Sequence, residues 1–113
     1  MTGRTPTRHE QLQGQVVELL GLVGWKHLHV RKSIGKGKRW VTTTNVVGWP
    51  DLFCWSPRHP GRHVAIEIKV PPDKLSPDQE AVRDDLVASG IEYLVVTPTT
   101  DLQALARDLR RQV

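Results

Sequence analysis

A single cysteine, Cys54, cannot form a disulfide within the chain, and its isolation fits a reducing compartment. No stretch reaches the ~18 consecutive apolar residues of a membrane span. The basic start MTGRTPTRHE has no apolar run behind it, which argues against a secretory signal. Together these absences predict a soluble, intracellular protein with no membrane partner. Apolar residues are also scarce, at 38%, low for a globular domain yet above the disordered range. A face buried in a homodimer would make up part of that deficit. Internal repeats, low-complexity tracts and dividing linkers are missing too. The 113 residues therefore read as one α/β domain over 7–113, behind a disordered lead at 1–6.

What is present in excess is positive charge. Sixteen Lys and Arg against twelve Asp and Glu give a net charge of +4 and a pI near 9.6. A basic surplus on a small domain favours polyanionic partners, because neutralising phosphates releases counterions.

Periodicity supplies the elements. Thr7-Arg8-His9-Glu10 has the capping-box pattern, and Leu12, Val16, Leu19, Leu20 and Val23 follow on one helical face. Residues 26–32 alternate as a strand, and 40–47, rich in β-branched residues, would pair with it across a basic glycine-rich turn. Asp51 to Trp55 forms a short strand after the break Gly48-Trp49-Pro50. His63 to Val70 is the most regular strand, with Val64, Ile66, Ile68 and Val70 on one face and Ala65, Glu67 and Lys69 on the other. Ser76 and Pro77 open a second helix that ends near Gly90. Residues 92–97 form an apolar strand expected to be buried on both faces, and 101–111 an amphipathic helix bearing Leu102, Leu105 and Leu109. The order is α-β-β-β-β-α-β-α.

Glu67 and Lys69 break the local rule. Opposite charges at i and i+2 lie about 6.5–7 Å apart along a strand, here within the most apolar strand of the chain. Such charges are costly to bury unless paired or bound to metal, and local inconsistencies of this kind mark functional sites. Asp51 heads a strand able to pair beside 63–70. Two carboxylates from adjacent strands can share a hard cation such as Mg²⁺ or Mn²⁺, which would activate a water while Lys69 orients or deprotonates it.

Pro50-Asp51, fifteen residues, then Glu67-Ile68-Lys69 reproduces the PD-(D/E)XK motif of restriction-like nucleases. More narrowly, the layout resembles the VRR-NUC (virus-type replication-repair nuclease) domains, in particular small stand-alone proteins often carried by phages. The matching features are Glu10-Gln11, Gly24-Trp25, His29, Gly48-Trp49-Pro50-Asp51-Leu52, Glu67-Ile68-Lys69, Leu75-Ser76-Pro77-Asp78-Gln79 and Gly90. They span roughly residues 10 to 97.

This resemblance implies a restriction-endonuclease-like PD-(D/E)XK core, with a mixed central sheet flanked by helices. It implies metal ligation by Asp51, Glu67 and the Ile68 carbonyl, a nucleophile-assisting Lys69, and Glu10 near the metal. Gln79 would lie beside the active site. The implied activity is a Mg²⁺- or Mn²⁺-dependent DNA endonuclease that leaves a 5′-phosphate and selects junction, flap or other branched DNA. No small-molecule cofactor is expected, and a phage-encoded protein would act in the host cytoplasm. The alternative is a non-catalytic or partner-dependent nucleic-acid-binding module on the same fold.

Several residues carry two readings. Glu10 and Gln79 each serve equally as capping-box residues or as site residues. The basic segment from Arg31 to Arg39 departs from the family pattern; Arg31, Lys32, Lys36, Lys38 and Arg39 are expected nucleic-acid contacts, or the loop is simply solvated. His29 either joins them at the site or simply satisfies its strand face. The loop's Gly35-Lys36-Gly37-Lys38 lacks Walker A spacing. Cys54 with His59 and His63 falls short of a zinc site and reads better as a buried small residue.

Overall fold

The computed structural model of the chain describes residues 5–30, 32–34, 40–42 and 46–112, with backbone alone at 32–34 and 40–42. Most of the lead expected at 1–6 lies outside the described residues. In chain order the elements are α1 (Arg8–Leu22), β1 (Lys26–His29), β2 (Lys32–Ile34), β3 (Trp40–Thr42), β4 (Leu52–Trp55), β5 (His63–Ile68), α2 (Pro77–Ala88), β6 (Glu92–Val96) and α3 (Leu102–Arg110).

Four strands form a mixed sheet in the order β1-β4-β5-β6, antiparallel except for the parallel β5–β6 pair. A separate two-stranded sheet joins β2 and β3. The α/β class and the mixed sheet flanked by helices are as the sequence predicts, but the expected single strand over 26–32 is two. Pairing of β1 with β4 sets His29 opposite Leu52. The next ladder positions would fall on Asp51 and on Pro50, which has no N–H to donate, so the ladder stops there. The observed order is thus α-β-β-β-β-β-α-β-α, and β3 pairs with β2 rather than with β1.

Each helix begins as its capping residues dictate. The Glu10 N–H donates to Thr7 Oγ1 at 3.1 Å while the Thr7 N–H donates to Glu10 Oε1 at 2.9 Å. Two orphan donors of the first turn are satisfied reciprocally. Leu12, Val16 and Leu20 then recur on the buried side of α1. Among the described residues no helix is long and apolar enough to cross a membrane.

One face of the sheet presents Leu52, Cys54, Val64, Ile66, Ile68 and Val96 to Leu12, Val16 and Leu20 of α1 and to Leu105 and Leu109 of α3. Each fully buried branched aliphatic contributes roughly 1.5–3 kcal/mol. Cys54 is a fully buried part of this core, and burial pushes its thiol up to about 12. The opposite face carries Phe53, Ala65, Glu67 and Tyr93, and α2 lies over it against β6. Because β6 is a sheet edge and α2 covers it only in part, Val95 is 41% exposed rather than buried as the apolar composition predicts.

The end of the sheet at the β4–β5 turn is fastened by Arg62. Its guanidinium donates to Glu92 from Nε at 2.6 Å and from Nη2 at 3.0 Å, and to Asp108 Oδ2 at 2.7 Å and the Asp108 carbonyl at 3.0 Å. It lies 5.5 Å from the centroid of the Trp25 ring, whose Nε1 donates to the Leu109 carbonyl at 2.8 Å. The hydrogen bond to Glu92 is the leading cause that holds this guanidinium's pKa above its ordinary value. One buried side chain therefore ties the turn, β6 and α3 together. Replacing Arg62 by Ala should cost about 2–3 kcal/mol in urea unfolding, discounted for its half-exposed partners. Arg62→Lys should recover less than half of that, because an ammonium cannot make the bidentate pair. A loss below 0.5 kcal/mol would contradict this role.

Candidate active site

Pro50 and Asp51 arrive at β4 through Gly48, which sits at φ +92°, a conformation side chains rarely tolerate. A Cβ at this glycine would stand 2.6 Å from the carbonyl carbon and oxygen of Asp78 and 2.8 Å from the Gln79 nitrogen. The loop before Asp51 is therefore packed directly on the first turn of α2, and only glycine fits between them.

Asp51 stands beside the end of β5. Its Oδ2 accepts the Ile68 N–H at 2.7 Å, and its side chain is 13% exposed. In extended backbone a residue's N–H and carbonyl point to the same side, so the Ile68 carbonyl also faces the Asp51 edge. Lys69 N–H points the other way and donates to the Val96 carbonyl at 2.9 Å. His9, in the first turn of α1, brings Nε2 to 3.5 Å from Asp51 Oδ2.

Glu67 occupies the middle strand with 2% of its side chain exposed. Its Oε2 lies 3.5 Å from Lys69 Nζ and accepts from Gln79 Nε2 at 3.2 Å. The two readings of Gln79 prove compatible. Its Oε1 accepts the Ser76 N–H at 2.9 Å, completing the capping box, while its Nε2 serves Glu67. A glutamate would cap equally well but would set a second carboxylate against Glu67.

Tyr93 is a neighbour that sequence reasoning missed. Strand register puts it beside Ala65 on the Glu67 face of the sheet, with its hydroxyl buried. Burial first, and then the charges of Glu67 and Asp51, push its phenol up to about 12. Neither His9 nor Tyr93 carries a local signal, since both reach the site only through packing of α1 and pairing of β6.

The remaining expected residues are less central. Glu10 is exposed and engaged in the α1 cap. His29 is exposed at the end of β1, its Nε2 3.4 Å from the Gln13 amide nitrogen. Arg31, Lys36, Lys38 and Arg39 lie outside the described residues, and Lys32 is described by backbone alone in β2. Among the described residues no three His, Cys, Asp or Glu side chains converge as a ready-made metal cage. Two carboxylates and a backbone carbonyl are nevertheless a donor set suited to Mg²⁺, which keeps several waters and is bound through one or two carboxylates plus substrate phosphate.

Gly48 yields a direct test of this assembly. Gly48→Ala should lower stability by about 1–3 kcal/mol through strain and contact with α2. It should also weaken any Mg²⁺-dependent rise in Tm, because displacing the first turn of α2 moves Gln79 away from Glu67. A variant that keeps the full Mg²⁺ response would show that the glycine is not needed to assemble the site.

Comparison with known proteins identifies the family and the fold. The family model described as the VRR-NUC domain matches residues 6–99. A solved structure described as a "VRR_NUC domain" shares the fold with a TM-score of 0.63 and 23% identity, covering 90% of this chain and 97% of that one. A search of curated proteins found no match. With a continuous match over most of its length and the acids of the motif brought together at one end of the sheet, the chain belongs to the VRR-NUC family of nuclease-type domains.

Proposed function

We propose that this protein is a Mg²⁺- or Mn²⁺-dependent DNA endonuclease selective for branched DNA such as junctions and flaps. The observation that carries the reading is Glu67: a carboxylate 2% exposed on a central strand, held by Lys69 and Gln79 beside a second carboxylate. A charge so costly to bury has a use in ligation and none in a solvated surface.

Asp51, Glu67 and the Ile68 carbonyl would hold the cation, with Glu10 reaching it through water. The cation would supply Lewis acidity, lowering the pKa of an attacking water and countering charge on the phosphate. Lys69, 16% exposed and 3.5 Å from Glu67, would orient that water and stabilise negative charge growing on the phosphate oxygens. Gln79 would fix the carboxylate rotamer of Glu67. Water attacking phosphorus in line with the 3′ oxygen would break the P–O3′ bond; that oxygen would take up a proton, leaving a 3′-hydroxyl and a 5′-phosphate. The net charge of +4 favours a polyanionic substrate, and Lys32 together with the basic residues outside the described segments would contact it.

The purified protein, incubated with Mg²⁺ or Mn²⁺ and labelled junction, flap, duplex and single-stranded DNA, should cut branched substrates preferentially. Lys69→Ala should reduce cutting by roughly 100-fold or more. DNA binding without cutting in either metal would overturn the stand-alone enzyme and favour a binding or partner-dependent module.

The reading includes a homodimer, which would set two such sites on one branched substrate. Its support is an apolar patch on the sheet face away from α1 and α3. Strand register puts Leu28, Phe53 and Trp55 on that face, with Leu28 54% and Trp55 37% exposed and Trp49 stacked on Phe53 at 5.8 Å. Light scattering should give twice the 12.8 kDa mass, and Leu28→Glu should return it to one. A wild-type monomer at tens of micromolar would exclude this dimer.

A further inference from the structure

A second polar recess opens at the same end of the sheet as the acids. It has a volume of about 230 Å³ and lies between the first two turns of α1 and the segment joining β6 to α3. Arg8, Gln11 and Gln15 form one wall; Thr97 and Thr100 form the other. The lining holds one guanidinium, two amides and two hydroxyls, and it contains no carboxylate. Arg8, like Arg58, Arg107 and Arg110, has no ion-pair partner among the described residues, whereas Arg62, Arg83 and Arg111 each hold an aspartate or glutamate.

Both walls join the site within one residue. Arg8 precedes His9, whose ring lies 3.5 Å from Asp51, and Thr97 follows Val96, whose carbonyl accepts the Lys69 N–H at 2.9 Å. One residue of backbone is ~3.8 Å, so both walls of the recess are anchored beside the segments that carry the candidate site. The neighbouring groove between α1 and α3 is mainly apolar, and its donors Gln15, Gln103 and Arg110 share it with the carboxylate of Glu18, which repels phosphate.

We propose that this recess binds the sugar–phosphate backbone of the cleaved DNA strand next to the scissile bond, with Arg8 as the phosphate contact and Gln11, Gln15 and Thr100 as hydrogen-bonding partners. The inference rests on the nuclease reading of the neighbouring site. The lining offers no aromatic ring on which a base could stack, whereas its guanidinium, amides and hydroxyls match phosphate and sugar oxygens. Recognition here is of backbone, independent of sequence.

The test measures binding rather than cleavage. Fluorescence anisotropy of a labelled single-stranded dodecamer, in EDTA, compares the full-length protein with Arg8→Ala and with Arg58→Ala. Arg58 is exposed in the turn at the far end of the sheet and removes the same charge. Arg8→Ala should weaken binding about five-fold and reduce the slope of log K against log salt by ~0.7, the loss of one single-strand phosphate contact. Arg58→Ala should change affinity less than two-fold. Equal losses in both variants, or none in Arg8→Ala, would overturn the proposal. So would displacement of the dodecamer by a deoxynucleoside monophosphate at comparable concentration, which would mark a small-phosphate pocket instead. Because EDTA removes any need for catalysis, a protein that cuts but shows no Arg8 dependence loses this inference alone. One that never cuts yet shows it loses only the enzyme reading.

Discussion

Glu67 leaves only 2% of its side-chain surface exposed on β5, an inner strand between β4 and β6. Removing a carboxylate from water costs several kcal/mol even after relaxation, and the cost is bearable only if hydrogen bonds and counter-charge are fixed in place. Much of the surrounding structure answers that demand. Lys69 follows two residues on, just past the end of β5. Gln79 comes from α2, whose position over the sheet depends on the side-chain-free approach of Gly48. Asp51, tied to the Ile68 amide, sets the second acid at the same end.

The two ends of the sheet divide the labour. At the β4–β5 turn, Arg62 is saturated by Glu92 and Asp108 and shielded by Trp25, which in turn holds the end of α3. There the buried guanidinium has its charge satisfied internally. At the other end stand Asp51, Lys69, Arg8 and the polar recess, where charge is concentrated but only partly matched. A fold this small needs the first kind of end to hold the second kind open.

The central motif was legible because it violates local expectation: Glu67 and Lys69 have no reason to interrupt an apolar strand, and Pro50-Asp51 stands at the head of its neighbour. Helix starts were legible for the opposite reason, since capping is a local interaction that four residues encode. What escaped was set by approach at long range. Arg62 sits in SPRHPGR, whose composition says only "turn"; its partners are 30 and 46 residues away. The division of residues 26–32 into two strands follows from the register against Pro50, which periodicity alone does not reveal. Tyr93 reads as an ordinary strand residue until parallel pairing sets it on the Glu67 face. Gln79 was ambiguous because one amide has two ends, and each is used.

That double use links two scales of motion. Helix ends fray at far lower free energy than the core unfolds, and the first turn of α2 is such an end. Here the amide that closes the helix also holds the buried acid. When that turn opens, Glu67 loses a partner while the hydrophobic core stays intact. A ligand that prefers the assembled form would therefore stabilise a turn of helix it never touches.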